Sequence, residues 1–573
     1  LNIIDDPCLQ ATVTGTETRE LRDLPATGPI AEVGARQLLL DAHLFADLVV
    51  DLPTQKPALL RQLLLPIVVD ALGWPADTDE WTIWFTAGAF TQAQRDRLNA
   101  YLDEYRHLFG LFDETDPFGQ VAGLRTAKGE TKSASLLVAT AATGNNVPLF
   151  ASRTEADRLE LTPVQALRWL LHTHCWDTAA IKTGVVGDPR AAGGKTSGNP
   201  TGPLGQLGVI VPKGRTLFET LMLNIPCQGH KNADDRPQWR RRATDGPVEK
   251  TLSVATPAWD TRAARGTLDL WTWQSRRIRL VPEETDHGTR VAQAIVAAGD
   301  RLAGISPDEE THTAWSTGRP SGGAAAARRR QTARKAPDGP RPRRHQAGRA
   351  GWRGLASLLA IGGTTGEGGA FVTSSLLAQL ADAASGLPVG FPLQVELSGI
   401  SYGNQSAVIE DVIHDSIPLP ITALDPDGFV YGALLGAVEQ AEDLADAVNR
   451  LSADLRRAVG TDPIPWDKGQ RPGDVLLHAL DPIVRRLLVG LRSVGDDFDV
   501  ADKGLCAWEE SAASATWSVA EQVLSAVPPT TFVGRSVTKD GKERLYRLST
   551  AERAFRIRIN DILARRAAAR RSA

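Results

Sequence analysis

The chain has 573 residues, 42% of them apolar and 23% charged. At roughly 150 residues per domain this allows about two to four domains, and it excludes both a mini-protein and a wholly disordered chain. The formal net charge is −4, so the molecule as a whole does not advertise a polyanion partner. Cys8, Cys175, Cys227 and Cys506 lie far apart, and no CxxC pair suggests a disulfide framework or a zinc ribbon. A reducing compartment follows. The most apolar run, Leu63 to Trp74, is interrupted by Pro66 and Asp70 and falls short of the roughly 20 residues that span a bilayer. With Asp5 and Asp6 where a secretory leader would be basic, a cytoplasmic protein with no membrane partner is expected.

Residues 1 to about 110 combine strand-like pieces such as Ala11–Val13 with helical periodicity over Pro57–Leu72 and Gln92–Phe109. From Pro117 to Gly214 the texture turns to glycine-rich loops around one helix, Pro163–Trp176, with Thr162 as its cap and Pro163 in its first turn. Residues 251–310 read as strand and turn around Arg276, Arg277 and Arg279, with Trp259, Trp271 and Trp273 as packing residues. A helical stretch near Leu380 and a strand over Leu393–Ile400 lead into SYGNQSAVIED.

Beyond Asp425 the periodicity is helical. Leu434, Ala437, Ala441, Leu444, Val448, Leu451 and Leu455 alternate spacings of three and four, a coiled-coil-type seam. Further helices are expected at Val475–Leu491, with Pro482 near its start, at Cys506–Ala526, and at Ala551–Leu563, where Ser549 and Glu552 have capping-box spacing. The predicted fold is a mixed α/β N-terminal domain with long loops (1–425), followed by a C-terminal four-helix bundle (426–573). Pro418, Pro420 and Pro426 mark the boundary.

Charge is segregated. Residues 319–353 hold ten Arg and Lys335 against the single acid Asp338, a window of +10 in an acidic chain. Its Gly, Pro and Ala content predicts a loop, either a solvated basic linker or an arm that displaces counterions from a polyanion. Enzyme signals are weak. GGKTSG at Gly193–Gly198 lacks the first glycine of a phosphate loop, having Pro189 there. His172 and His174 sit two apart on a helix and cannot converge on a metal. With no nucleophile motif, dinucleotide fingerprint or paired metal carboxylates, the chain reads as a binder without metal or cofactor.

Seven segments in order resemble the CasA family, the large subunit of the type I-E CRISPR Cascade surveillance complex. They are LNIIDDP, LPTQKPALLRQLLLPIV (Leu52–Val68), LFDETDPFGQV (Leu111–Val121), TGNNVPLF (Thr143–Phe150), LTPVQALRWLL (Leu161–Leu171), KGRTLFETLMLNIP (Lys213–Pro226) and SYGNQSAVIED (Ser401–Asp411). The resemblance implies a non-enzymatic subunit that reads a protospacer-adjacent motif from the minor groove of duplex DNA, promotes strand separation and recruits a helicase-nuclease. Its implied partners are the double-stranded DNA target, the CRISPR RNA and the other Cascade subunits.

The same resemblance distributes roles. Gln405, flanked by Asn404 and Ser406, matches a glutamine wedge, and Gly193, Gly194 and Gly198 match a glycine loop pressed to the groove. A lysine finger falls to Lys335 or a neighbouring arginine, Arg328, Arg329 or Arg330. Asn145, Asn146, Leu149, Phe150 and Ala151 match a guide-contacting loop, although the family reads Phe-Val-Asn where this chain has Leu149, Phe150 and Ala151. Relatives with zinc-holding cysteine pairs differ from this chain. A stand-alone, non-specific DNA-binding protein is the alternative reading of the same basic window, and a metal-free hydrolase is a third.

Overall fold

The computed structural model describes residues 1–15, 28–141, 158–227, 232, 234–244, 260–317, 339–361, 364–366, 369–383, 386–388, 390–465, 469–495, 497–539 and 542–572. They form two compact units. One comprises Leu1–Gly351, Ala360–Leu387 and Leu393–Ser416, the other Trp352–Leu359, Pro388–Pro392 and Ile417–Ala573.

The first unit mixes helix and sheet. Strand β1 (Leu9–Val13) is the centre of a three-stranded antiparallel sheet with β2 (Ile30–Val33) and β3 (Phe45–Leu48). The periodic run beginning at Pro57 is not one regular helix: α1 (Gln55–Leu59) passes through a π turn (Leu60–Leu64) into α2 (Leu65–Leu72). Pro66 has no N–H for the carbonyl of Gln62, so a regular ladder cannot continue there. The π turn is wholly buried and sets Arg61 Nη1 2.7 Å from Glu310 Oε1, an ion pair with both partners inside. Helix α3 (Gln92–Tyr105) begins on a Thr91–Gln94 capping box and ends short of Phe109, because Arg106–Leu108 tighten into a 3₁₀ turn.

Helix α4 (Pro163–Trp176) has the bounds its sequence predicts, and Thr162 Oγ1 accepts from the Gln165 N–H at 3.3 Å. It is buried on nearly every side. Two short strands follow, β4 (Lys182–Thr183) and β5 (Lys195–Thr196), then β6 (Val209–Lys213). The arginine-rich segment is a long antiparallel hairpin, β7 (Arg276–Thr285) with β8 (Gly288–Ala298). Arg276 and Arg277 are buried, not solvated. Trp271 and Trp273 are core residues, as expected, while Trp259 lies outside the described residues. Helix α5 (Ser375–Asp382) precedes β9 (Gln394–Tyr402) and β10 (Ile409–Pro418), which with β6 make a sheet of order β10-β9-β6.

In the second unit, α6 (Phe429–Ala458) packs against α7 (Pro472–Gly490), α8 (Phe498–Ser525) and α9 (Leu548–Ile562). All seven residues of the predicted seam are buried. Each buried Leu or Val side chain of that seam contributes about 1.5–3 kcal/mol to the cohesion of the unit. Three helix details differ from the sequence reading. Helix α8 starts at Phe498, eight residues before the expected Cys506, with Asp497 capping it. Pro482 lies mid-helix in α7, because the helix starts earlier, at Pro472. Ser549 and Glu552 make no capping box: α9 starts at Leu548, which puts Ser549 inside the first turn. Thr550 Oγ1 accepts from the Arg547 N–H at 3.2 Å instead, and Glu552 pairs with Arg556 one turn on at 2.8 Å. A β11 (Arg535–Lys539) and β12 (Lys542–Tyr546) hairpin precedes α9, and α10 (Ala564–Ser572) follows it. Among the described residues no helix is long and apolar enough to cross a membrane.

Candidate functional site

The turn joining β9 to β10 is where the backbone is most unusual. Asn404–Ser406 form a 3₁₀ turn in which Gln405 has φ 52° and ψ 25° and Ser406 has φ 55°. No other non-glycine residue among the described ones has positive φ. Each such residue costs about 1–2 kcal/mol relative to its ordinary conformation. The turn is held by local bonds, Ser406 N–H to the Gly403 carbonyl at 2.8 Å and Gly403 N–H to the Val408 carbonyl at 2.9 Å. A Cβ on Gly403 would lie 2.5 Å from Glu410 Oε1, so a larger residue there would displace the exposed Glu410 side chain. Asn404 and Gln405 are exposed, and Ser406 is half-buried. Strain kept at an exposed polar tip is the pattern of a working surface.

The base of this hairpin is anchored to the end of α4. Tyr402 donates its hydroxyl to the Trp176 carbonyl at 2.6 Å, and burial raises its pKa above the ordinary phenol value. The Ala179 N–H donates to the Ser406 carbonyl at 2.8 Å. Segment 177–184, which makes that bond, also carries the glycine hairpin: Lys182 pairs with Thr196, Thr183 pairs with Lys195, and the Gly184 N–H donates to the Gly194 carbonyl at 2.8 Å. The structure therefore mounts Asn404–Ser406 and Gly193–Gly194 on one scaffold.

That scaffold is fixed electrostatically. Asp177 accepts from Lys182 Nζ at 2.6 Å and from Arg276 Nε. Burial alone would raise the Asp177 carboxyl, but the two cations outweigh it and hold the group below the usual carboxylate range. Arg276 also donates to the Thr178 and Pro200 carbonyls, at 2.9 and 2.8 Å. Sequence reasoning missed Asp177, Lys182 and Arg276 as supports, since their association depends on a tertiary contact between α4 and β7. The one available signal was the pair of adjacent arginines that opens the strand.

The glycine hairpin itself is a two-residue turn. Ala192 and Lys195 exchange backbone bonds at 2.9 and 3.1 Å around Gly193 (φ 57°) and Gly194 (φ 72°), which is the type I′ arrangement that needs positive φ at both central positions. A Cβ at Gly193, Gly194 or Gly198 would meet nothing within 4 Å, so glycine is demanded by conformation and the surface there is open. Asp188 braces the hairpin, accepting from the buried Thr196 hydroxyl at 2.7 Å and from the Arg190 N–H at 2.9 Å. Lys195 is exposed on β5. A phosphate loop would join a strand to a helix, and this turn leads from the bridge residue Ala192 into β5. Between the β9–β10 hairpin, segment 132–139, the end of α4 and segment 177–183 lies an open cavity of about 550 Å³, with Lys132, Asp177 and Lys182 among its polar walls.

His172 and His174 are structural. His172 Nε2 lies 2.9 Å from Thr54 Oγ1 and His174 Nε2 lies 2.8 Å from the Gly119 carbonyl. Among the described residues no group of three or more His, Cys, Asp or Glu is placed to hold a metal. Arg328, Arg329, Arg330 and Lys335 lie outside the described residues, as do Asn145, Asn146, Leu149, Phe150 and Ala151. Part of the basic window that is described serves packing: Arg343 stacks on Phe371 at 4.6 Å, and Arg353 forms a bidentate pair with Glu442 at 2.6 and 2.8 Å.

Comparison with known proteins identifies the family. The sequence profile of the family described as CRISPR-associated protein Cse1 matches residues 24–519. CasA/Cse1 of Thermus thermophilus is 31% identical over 260 residues, 45% of this chain and 46% of that protein, so the alignment spans under half of the relative. The crystal structure of Thermobifida fusca Cse1 superposes with a TM-score of 0.74 at 29% identity, covering 99% of this chain and 98% of that one. A chain of a CRISPR RNA-guided surveillance complex shares the fold at a TM-score of 0.61 and 19% identity, covering 91% of this chain and 99% of that one. With a family profile matched over most of its length, the chain belongs to the CRISPR-associated Cse1 family.

Proposed function

We propose that this chain is the DNA-recognition subunit of an RNA-guided surveillance complex, reading a protospacer-adjacent motif from the minor groove and starting strand separation beside it. The observation that carries the reading is the strained, exposed Gln405 at a hairpin tip whose scaffold also presents the Gly193–Gly194 turn. An amide side chain can fill an opened base step and bond to base edges. A flat glycine turn admits the backbone to a groove floor. The minor groove distinguishes mainly A·T from G·C, so such a reader tolerates several motifs and leaves sequence specificity to guide pairing.

In this reading the chain acts by binding, not catalysis. Asn145, Asn146, Leu149, Phe150 and Ala151 contact the CRISPR RNA, and Lys335 or Arg328–Arg330 engages phosphates. Residues 426–573 act as a four-helix bundle module beside the recognition domain 1–425, and the assembled surface recruits a helicase-nuclease. The test uses the assembled complex carrying Asn404→Ala and Gln405→Ala, with duplex opening followed by a fluorescent base analogue next to the motif. Opening should fall at least tenfold, a barrier change of about 1.4 kcal/mol or more, while assembly stays intact. Failure to assemble, or normal opening, would overturn the wedge assignment.

A further inference from the structure

Ser406, the second left-handed residue of the β9–β10 turn, has its carbonyl held by the Ala179 N–H at 2.8 Å. That N–H belongs to the same peptide as the Thr178 carbonyl, and in a planar trans peptide the two groups point in opposite directions. On the far side of the plane, Arg276 Nη2 donates to the Thr178 carbonyl at 2.9 Å. One peptide therefore stands between a guanidinium and the backbone of the turn. A cation at the carbonyl polarises the peptide and makes its N–H the stronger donor, so the two bonds reinforce each other.

Arg276 is itself firmly seated. It is buried at the first residue of β7, where Nη1 donates to the Ser275 carbonyl at 2.7 Å and Nε faces the Asp177 carboxylate. Asp177 in turn accepts from Lys182 Nζ at 2.6 Å and from the Thr178 N–H at 2.8 Å, so the residue that offers its carbonyl to Arg276 is fixed at its N–H as well. Arg276 Nη2 also donates to the Pro200 carbonyl at 2.8 Å. One guanidinium thus clasps the chain both before and after the glycine hairpin.

The segment needs such a clasp. Residues 177–183 are half-buried or exposed, and they border the open cavity of about 550 Å³. With open space on that flank, the positions of its peptides depend on hydrogen bonds more than on packing. A shift at Ala179 passes to Ser406 and so to its neighbour Gln405, and a turn that stores strain at two residues relaxes when an outside bond to it loosens.

We infer that Arg276 is a positioning residue for Gln405: seated on Asp177, it fixes the Thr178–Ala179 peptide, which holds the Ser406 carbonyl and with it the direction of the Gln405 side chain. The inference rests on the wedge reading of Gln405. The test follows duplex opening in the assembled complex, with a fluorescent base analogue beside the motif, for Arg276→Lys, Gln405→Ala and the double variant. Lysine keeps a cation for Asp177 but lacks the fork that also reaches the Thr178 carbonyl, so opening should slow by about 3- to 30-fold. In the Gln405→Ala background the same substitution should change opening by less than about twofold, because a residue that acts through Gln405 then has nothing left to position. Asp177→Asn, which takes the carboxylate away from the guanidinium, should behave in the same way. Losses that multiply in the double variant would overturn the inference, since Arg276 would then support the fold at large. Parental opening by Arg276→Lys, or failure of both Arg276→Lys and Asp177→Asn to assemble, would overturn it too. Normal opening by Gln405→Ala alone would instead overturn the wedge reading, and the inference with it.

Discussion

Gln405 holds a left-handed backbone conformation that glycine would occupy without strain. Gln405→Gly should therefore stabilise the isolated chain, by about 1 kcal/mol, while abolishing the side chain proposed to open duplex DNA. A rise in thermal midpoint with loss of opening in the assembled complex is the expected pair of results; a fall in midpoint would show the side chain to be structural. His172 offers a second residue-scale test. Burial holds its imidazole neutral, lowering its pKa to about 3 from an ordinary 6.5. The unfolded chain thus binds a proton that the folded chain refuses between those values. Its contribution to stability is complete above about pH 6.5 and is lost as pH falls toward 3, at up to about 1.4 kcal/mol per pH unit. His172→Gln should flatten that part of the acid-unfolding profile relative to the parent, and an unchanged difference between pH 7 and pH 5 would refute it.

Among the elements, α4 and α6 were the most legible in the sequence. For α4, Thr162 and Pro163 supply both the cap and the fixed first φ. For α6, the seam from Leu434 to Leu455 imposes its own periodicity. The π turn at Leu60–Leu64 was only partly legible: Pro66 marks a break in the ladder, but the buried partners of Arg61 and Gln62, Glu310 and the Trp273 carbonyl, are fixed by tertiary contacts. Helix α7 invites a direct test. Pro482 is exposed inside it, and with no N–H it leaves the His478 carbonyl without its helical partner. Pro482→Ala should raise the stability of the helical unit by about 1–3 kcal/mol, read as a higher thermal midpoint. No change would mean that the helix bends there for another reason.

At the scale of the molecule, the second compact unit is not one contiguous stretch. Ile417–Ala573 is joined by Trp352–Leu359 and Pro388–Pro392. Trp352 is fully buried and donates its indole N–H to Asp481 at 2.9 Å, and Arg353 grips Glu442. A fragment of residues 426–573 should show helical circular dichroism from its own seam. It should unfold at lower temperature than the same helices in the full chain, by the equivalent of about 3–5 kcal/mol, the cost of emptying a large aromatic site. A fragment with no helical signal would show that the seam alone cannot support the unit.

The sequence by itself determined what is local or periodic: the helices of the second unit, the bounds of α4, and, through seven ordered segments, the family. It also located the GNQS and GGK turns, because short-range backbone chemistry marks both. Tertiary structure alone decided that these turns, some two hundred residues apart, share segment 177–184 as their support. It decided equally that Arg276 is buried against Asp177, and that Arg353 binds Glu442 within the compact helical unit. Charge and polarity in a sequence record only what a residue can bind. Which partner it finds depends on contacts between distant segments, whose geometry exists only once the chain has folded.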